Sequence, residues 1–98
     1  MTSRDKTFGA YIRCKREEVA IPLNVFARDL GISPAYWSRI ERDMEKPPLD
    51  KWLILAAARL DIPGDDVFVA AGRLPLDMRD HLTRVVRIYR KATHANQL

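Results

Sequence analysis

The 98-residue chain predicts an all-α fold in one small domain, and three observations carry that prediction. Apolar residues recur at spacings of three and four in six successive stretches, the period of helices that each bury one face. The stretches are separated by helix punctuation at Pro22, Gly31, Ser33-Pro34, Pro47-Pro48, Pro63-Gly64 and Gly72. A chain of this length buries a smaller share of its surface than a large domain does, which favours a compact helical core with little spare stability.

Taken in order, residues Met1 to Arg4 are expected to be disordered, and Asp5 to cap a first helix running to about Val19. Phe8, Ile12, the stem of Lys15 and Val19 fall on its inner face, with Arg13, Glu17 and Glu18 outward. Ala20-Ile21-Pro22 forms a link, because proline biases the residue before it away from helix. In the second helix Leu23, Phe26, Ala27 and Leu30 share a face, and Gly31 supplies a left-handed stop. Ser33 is a good N-cap for a third helix over 34–43, with Pro34 at the first position, where its missing N–H costs nothing. Trp37 and Ile40 face inward, which leaves Ala35, Tyr36, Ser38, Arg39 and Arg42 on a small, hydroxylated and basic outer face.

Met44 to Pro48 reads as a loop. A fourth helix follows, with Asp50 in its first turn and Leu53, Ala56, Ala57 and Leu60 inward. Trp52 lies beside that stripe, as core or core edge, or as a contact for a partner. The fifth helix opens with Asp65 and Asp66 at its electropositive end, buries Val67, Phe68 and Ala71, and stops at Gly72. Asp77 caps a sixth helix to about Ala92, with a stripe of Met78, Leu82, Val85, Val86 and Tyr89 and an opposite face of Arg79, Arg84, Arg87, Arg90 and Lys91. Thr93 to Leu98 is expected to fray. The expected division is residues 1–76 as one unit and 77–98 as an added basic amphipathic helix.

The net charge of +4 is unevenly placed: residues 1–72 hold 11 basic and 11 acidic side chains, whereas residues 73–98 hold 6 basic and 2 acidic. Two readings stay open for that tail, a helix that meets phosphate or an ordinary solvated face. The polar start has no signal-peptide core, and no apolar run approaches the roughly 20 residues that cross a bilayer. Cys14 alone makes neither an internal disulfide nor a metal site, and reads as a small buried or half-buried side chain. A cytoplasmic location away from membranes is therefore expected. His81 and His94 are the two histidines, both near the sixth helix, and there is no Ser-His-Asp set and no glycine-rich phosphate loop. These absences argue against an enzyme, and no cofactor or metal is expected.

The Phe26-Ala27-Arg28-Asp29-Leu30-Gly31-Ile32-Ser33 run, the Tyr36-Trp37-Ser38-Arg39-Ile40-Glu41-Arg42 run and Pro47-Pro48 carry a resemblance. They resemble the Xre-like family, the phage-repressor and Cro type of helix-turn-helix regulator, over roughly residues 8–75. The resemblance implies a five-helix DNA-binding domain, to which the sixth helix is an addition, and an Arg16–Glu41 pair that fixes the recognition helix. Two positions depart from the family pattern: Leu23 stands where many members carry Gln, and Asp43 where a glycine often follows. Asp enters the left-handed region at modest cost.

A helix fits the major groove, and side chains near its N-terminus reach base edges. Ala35 and Tyr36 suit thymine methyls, and Arg39 suits bidentate pairing to guanine. Ser33 and Pro34 sit at the helix start, where Ser33 meets phosphate, while Arg28, Arg42 and Ser38 are further contacts, the arginines to phosphate. One helix reads few base pairs, so a homodimer on an inverted repeat of double-stranded DNA is expected, joined through Leu82, Val85, Val86 and Tyr89. The reading is a sequence-specific transcriptional repressor. The alternatives are an antitoxin that also binds a protein partner through its C-terminal helix, and an RNA-binding regulator.

Overall fold

The computed structural model describes residues 7–96, with the side chains of residues 95 and 96 left aside; the expected N-terminal disorder, the Asp5 cap and the last two residues lie outside that range. Among the described residues the chain is entirely helical: α1 (Phe8–Glu18), α2 (Leu23–Leu30), α3 (Pro34–Glu41), α4 (Asp50–Leu60), α5 (Gly64–Ala70), α6 (Leu76–Arg79) and α7 (Leu82–Asn96). No helix among them is long and apolar enough to cross a membrane. The helix-turn-helix consists of α2, the Gly31–Ser33 turn and α3.

One core joins α1 to α5. Phe8 and Ile12 of α1, Phe26, Ala27 and Leu30 of α2, and Trp37 and Ile40 of α3 meet Leu53, Ala56, Ala57 and Leu60 of α4 and Val67 and Phe68 of α5. Phe26 and Trp37 pack with ring centroids 5.3 Å apart at 49°, a tilted pair that ties the two helices of the motif together. Trp52 lies at the core edge, its ring beside Gly31 and beneath the ammonium of Lys51.

Five helices end in the same way. Ala20, Gly31, Asp43, Asp61 and Gly72 all have positive φ, between 55° and 82°. The next amide in each case reaches back five residues: Ile21 to Arg16, Ile32 to Ala27, Met44 to Arg39, Ile62 to Ala57 and Arg73 to Phe68, over 2.8–3.3 Å. This Schellman closure satisfies helix carbonyls that would otherwise lack partners. Only two of the five positions are glycine, so α1, α3 and α4 stop at residues for which the left-handed conformation costs energy.

Several expectations are corrected. Thr7 caps α1, its hydroxyl accepting from the Ala10 amide at 3.2 Å. Val19 is 47% exposed instead of inward, because α1 has already closed and the backbone turns at Ala20. The third helix, expected over 34–43, ends at Glu41, two residues early, before the left-handed Asp43. The expected sixth helix is two helices, broken at Asp80 and His81, and α7 continues through Thr93 to Asn96 instead of fraying. Met78 therefore belongs to α6, and the Leu82, Val85, Val86 and Tyr89 stripe to α7.

Arg79 does not face solvent with the other tail arginines. It donates to Asp50 through both terminal nitrogens, at 2.7 and 3.3 Å, and to the Leu74 carbonyl, while its guanidinium lies over Phe68. Arg73 reaches the same carboxylate at 3.1 Å and the carbonyls of Pro48 and Pro47 at 2.6 and 2.9 Å. These bonds fasten α6 to the start of α4 and to the loop that follows α3.

Candidate nucleic-acid interface

The outer face of α3 is built from its buried one. Trp37, Ile40 and Glu41 are turned into the domain, so Ala35, Ser38, Arg39 and Arg42 are carried on the other side, with Tyr36 and Pro34 half-buried at its edge. Ser33 starts the helix: its hydroxyl accepts from the Tyr36 amide at 3.2 Å, which satisfies one of the orphan donors of the first turn. Arg39 lies in the last turn of α3, with its guanidinium 5.7 Å from the Tyr36 ring centroid and its Nε 3.8 Å from Glu45. The Nε of Arg42 donates weakly to the Ser38 carbonyl at 3.4 Å. Arg28 is exposed near the end of α2, one turn before the motif bends. The structure thus gathers the seven candidate residues of 33–42 on or beside one helix, with Arg28 on the preceding one.

Glu41 fixes how that helix is held. Its carboxylate, 5% exposed as a residue, accepts from Arg16 Nε and Nη2, each at 2.8 Å, and from the indole of Trp37 at 2.7 Å. Arg16 uses its other terminal nitrogen on the Ile21 carbonyl at 2.8 Å, where the chain leaves α1. The charges are paired with each other and each of the three guanidinium nitrogens donates a hydrogen bond, the condition under which a buried ion pair is tolerated. The hydrogen bonds to Glu41 hold the Arg16 guanidinium above its ordinary range, against the opposing effect of burial. The pair locks the last turn of α3 to the last turn of α1.

A second tie was not legible in the sequence. Asp43 accepts from the Thr7 hydroxyl at 2.6 Å and from the Gly9 amide at 3.0 Å, so the residue that ends α3 also caps α1. Gly9 makes this possible: a Cβ there would stand 2.5 Å from the carbonyl oxygens of both Ile40 and Glu41. A serviceable signal was present in Thr7, a capping residue two positions before a glycine, but its partner 36 residues away was not. On the far side, Arg59 and Asp29 join α4 to α2 through a half-exposed contact of 2.7 Å.

The proposed association residues lie apart from this face. On α7, Leu82, Val86 and Tyr89 are 49–63% exposed and Val85 is half-buried, and Ile88, which the periodicity reading omitted, is 62% exposed. Arg84, Arg87, Arg90 and Lys91 are exposed on the same helix. Its principal neighbour is α6, so the stripe is not absorbed into the core.

No protein-family model matches the chain, and no curated protein matches it. Solved structures do. A crystal structure of SinR, the master regulator for biofilm formation, in complex with DNA has 28% identity and a TM-score of 0.58 over 62% of this chain and 97% of that one. The N-terminal DNA-binding domain of SinR from Bacillus subtilis has 28% identity and a TM-score of 0.57, covering 61% of this chain and 87% of that one. A SinR–SinI complex matches over 93% of this chain and 95% of that one, with a TM-score of 0.59; at 19% identity it speaks to the fold alone. The chain therefore has an all-α helix-turn-helix fold, similar to the DNA-binding domain of SinR.

Proposed function

We propose that the protein is a sequence-specific, double-stranded DNA-binding transcriptional regulator of the Xre type, acting as a repressor in the cytoplasm. The observation that carries this reading is the outer face of α3, a short, rigidly held helix that presents small, hydroxyl and arginine side chains with no acidic residue among them. The helix is of a size that enters the major groove. Arg39 pairs with a guanine edge, Ala35 and Tyr36 contact thymine methyls, and Ser33, Pro34 and Ser38 lie along the groove wall. Arg28 and Arg42 hold phosphates and set register without reading sequence. The likeness to a SinR structure in complex with DNA supports the same assignment.

The active form in this reading is a homodimer on an inverted repeat, with half-sites about 34 Å apart. The Leu82, Val85, Val86 and Tyr89 stripe of α7 is the surface that a second copy covers, because Leu82, Val86 and Tyr89 are exposed in the single chain and Val85 is only half-buried. Residues 77–98 then act as an association element attached to a DNA-reading unit of residues 1–76. That same exposed stripe favours one second reading, an antitoxin that binds DNA and a small protein partner through α7.

Fluorescence anisotropy on labelled duplexes from upstream of the gene, at two salt concentrations, tests the proposal. Salt-sensitive binding to one fragment, lost with Arg39→Ala and absent on random duplex, supports it. Equal, weak binding to every duplex rejects it. Sedimentation of the protein with the bound fragment reads the stoichiometry, and a single chain per inverted repeat rejects the dimer.

A further inference from the structure

We infer that Glu45 is a positioning residue for base reading: its carboxylate holds the Nε edge of Arg39 so that the two terminal nitrogens are aimed, as a pair, at a guanine. The inference rests on the DNA reading above and assigns it a specificity-determining residue outside the recognition helix.

Three observations converge on it. The Glu45 carboxylate approaches Arg39 through Nε, at 3.8 Å, and both side chains are close to 42% exposed. That contact is a long ion pair on the Nε side, without a hydrogen bond, and Nη1 and Nη2 form the fork that matches the O6 and N7 acceptors of guanine. The Tyr36 ring lies 5.7 Å from the same guanidinium, so the group is restrained by a ring as well as by a carboxylate.

Glu45 is itself held in place. The segment that carries it is anchored at one end by Asp43, whose carboxylate bonds Thr7 and Gly9, and by the Met44 amide on the Arg39 carbonyl at 2.8 Å. At the other end Arg73 grips the carbonyls of Pro47 and Pro48. A carboxylate on a tethered segment is an unusual neighbour for a DNA-facing arginine, because it works against attraction to phosphate. Its use lies in selectivity. An arginine with a carboxylate on its Nε side and a ring beside it is biased toward offering its bidentate fork to one base edge, whereas an unrestrained arginine settles on any nearby phosphate.

The test is selection from a pool of randomised duplexes with wild type, Arg39→Ala and Glu45→Gln, followed by anisotropy on the selected duplex and on one with its preferred guanine replaced. Glu45 is half-exposed, and thermal melts confirm that the variant is folded. Wild type is expected to enrich a guanine in each half-site, Arg39→Ala to lose that preference, and Glu45→Gln to keep binding while its preference falls at least about fivefold and its affinity for random duplex rises. If Glu45→Gln keeps the wild-type preference, or gains equally on both duplexes, the carboxylate is only a repelling charge and the inference is overturned. If Arg39→Ala leaves the base preference intact, the DNA reading stands and this role for Glu45 falls. If wild type enriches no sequence at all, the DNA reading falls and takes this role with it.

Discussion

Replacing Gly9 by alanine sets two effects of opposite sign against each other. Gly9 lies inside α1, and a helix interior ordinarily gains about 1 kcal/mol when glycine becomes alanine. Here the new methyl would stand 2.5 Å from the Glu41 and Ile40 carbonyl oxygens and 2.7 Å from Asp43 Oδ1. Ordinary carbon–oxygen contacts are about 3.3–3.6 Å. Two of the three atoms are backbone at the end of α3, so α1 and α3 must separate rather than a side chain step aside. Overpacking of this kind costs about 1–3 kcal/mol, and the shift also loosens the Asp43 cap on the Gly9 amide, worth about 1 kcal/mol. The net expectation is a loss of about 1–3 kcal/mol. At roughly 4–8 °C per kcal/mol for a domain of this size, the melting temperature falls by about 5–20 °C. Thermal unfolding followed by far-UV circular dichroism measures this, with Gly64→Ala as control, since nothing lies within 4 Å of a methyl there. A Gly9→Ala protein as stable as wild type, or more so, would refute the argument that α1 and α3 touch backbone to backbone.

Four further outcomes follow from the geometry. Arg16→Met strands the Glu41 carboxylate among apolar neighbours and is expected to cost about 3–5 kcal/mol in urea unfolding, whereas Arg16→Met with Glu41→Gln recovers part of it, because an amide oxygen still accepts from Trp37. Ala20→Gly relieves a left-handed alanine on the surface and is expected to raise stability by about 0.5–1 kcal/mol; an unchanged melting temperature counts against strain at that position. Asp43→Gly relieves a smaller strain, since aspartate enters the left-handed region at modest cost, and removes the α1 cap, so it is expected to give no gain, and a gain equal to that of Ala20→Gly would show that the cap contributes nothing. Hydrogen bonds from Arg79 and then Arg73 hold the Asp50 carboxyl below its ordinary range. Its contribution is therefore complete above about pH 4 and is lost as pH falls through the lower folded value. The melting temperatures of wild type and Asp50→Asn should converge on acidification, and a gap that widens toward low pH would reverse the sign of the linkage.

What the sequence made legible was local. The α2 and α3 faces, the Gly31 stop and the Ser33-Pro34 start are written within a few residues of one another, and each is decided by backbone rules that operate over one or two turns. The Arg16–Glu41 contact crosses 25 residues, and its expectation came from the family likeness rather than from spacing. Asp43 shows why the rest was hidden. In sequence it is a tolerable substitute for glycine at a helix end; only the packing of α1 against α3 brings its carboxylate to Thr7 and Gly9. Arg79 was misread for the same reason. Helical period puts it with Arg84 and Arg87, but the backbone breaks at Asp80 and His81 with neither proline nor glycine to announce it, and Asp50 then captures the side chain.

The charge on α7 gives the molecule a polarity. All four of that helix's charged side chains are basic, while the rest of the chain holds 13 residues of each sign, so the whole net charge of +4 sits on one helix. Charge gathered on one helix of an otherwise balanced chain makes an electric dipole, and a polyanion would exert a torque on it before contact. In the proposed DNA-binding role, α7 rather than α3 would be the helix a duplex attracts first. That role would divide capture and reading between two helices, and neutralising Arg84, Arg87, Arg90 and Lys91 should then slow arrival at a duplex, most at low salt, while leaving the preferred sequence unchanged.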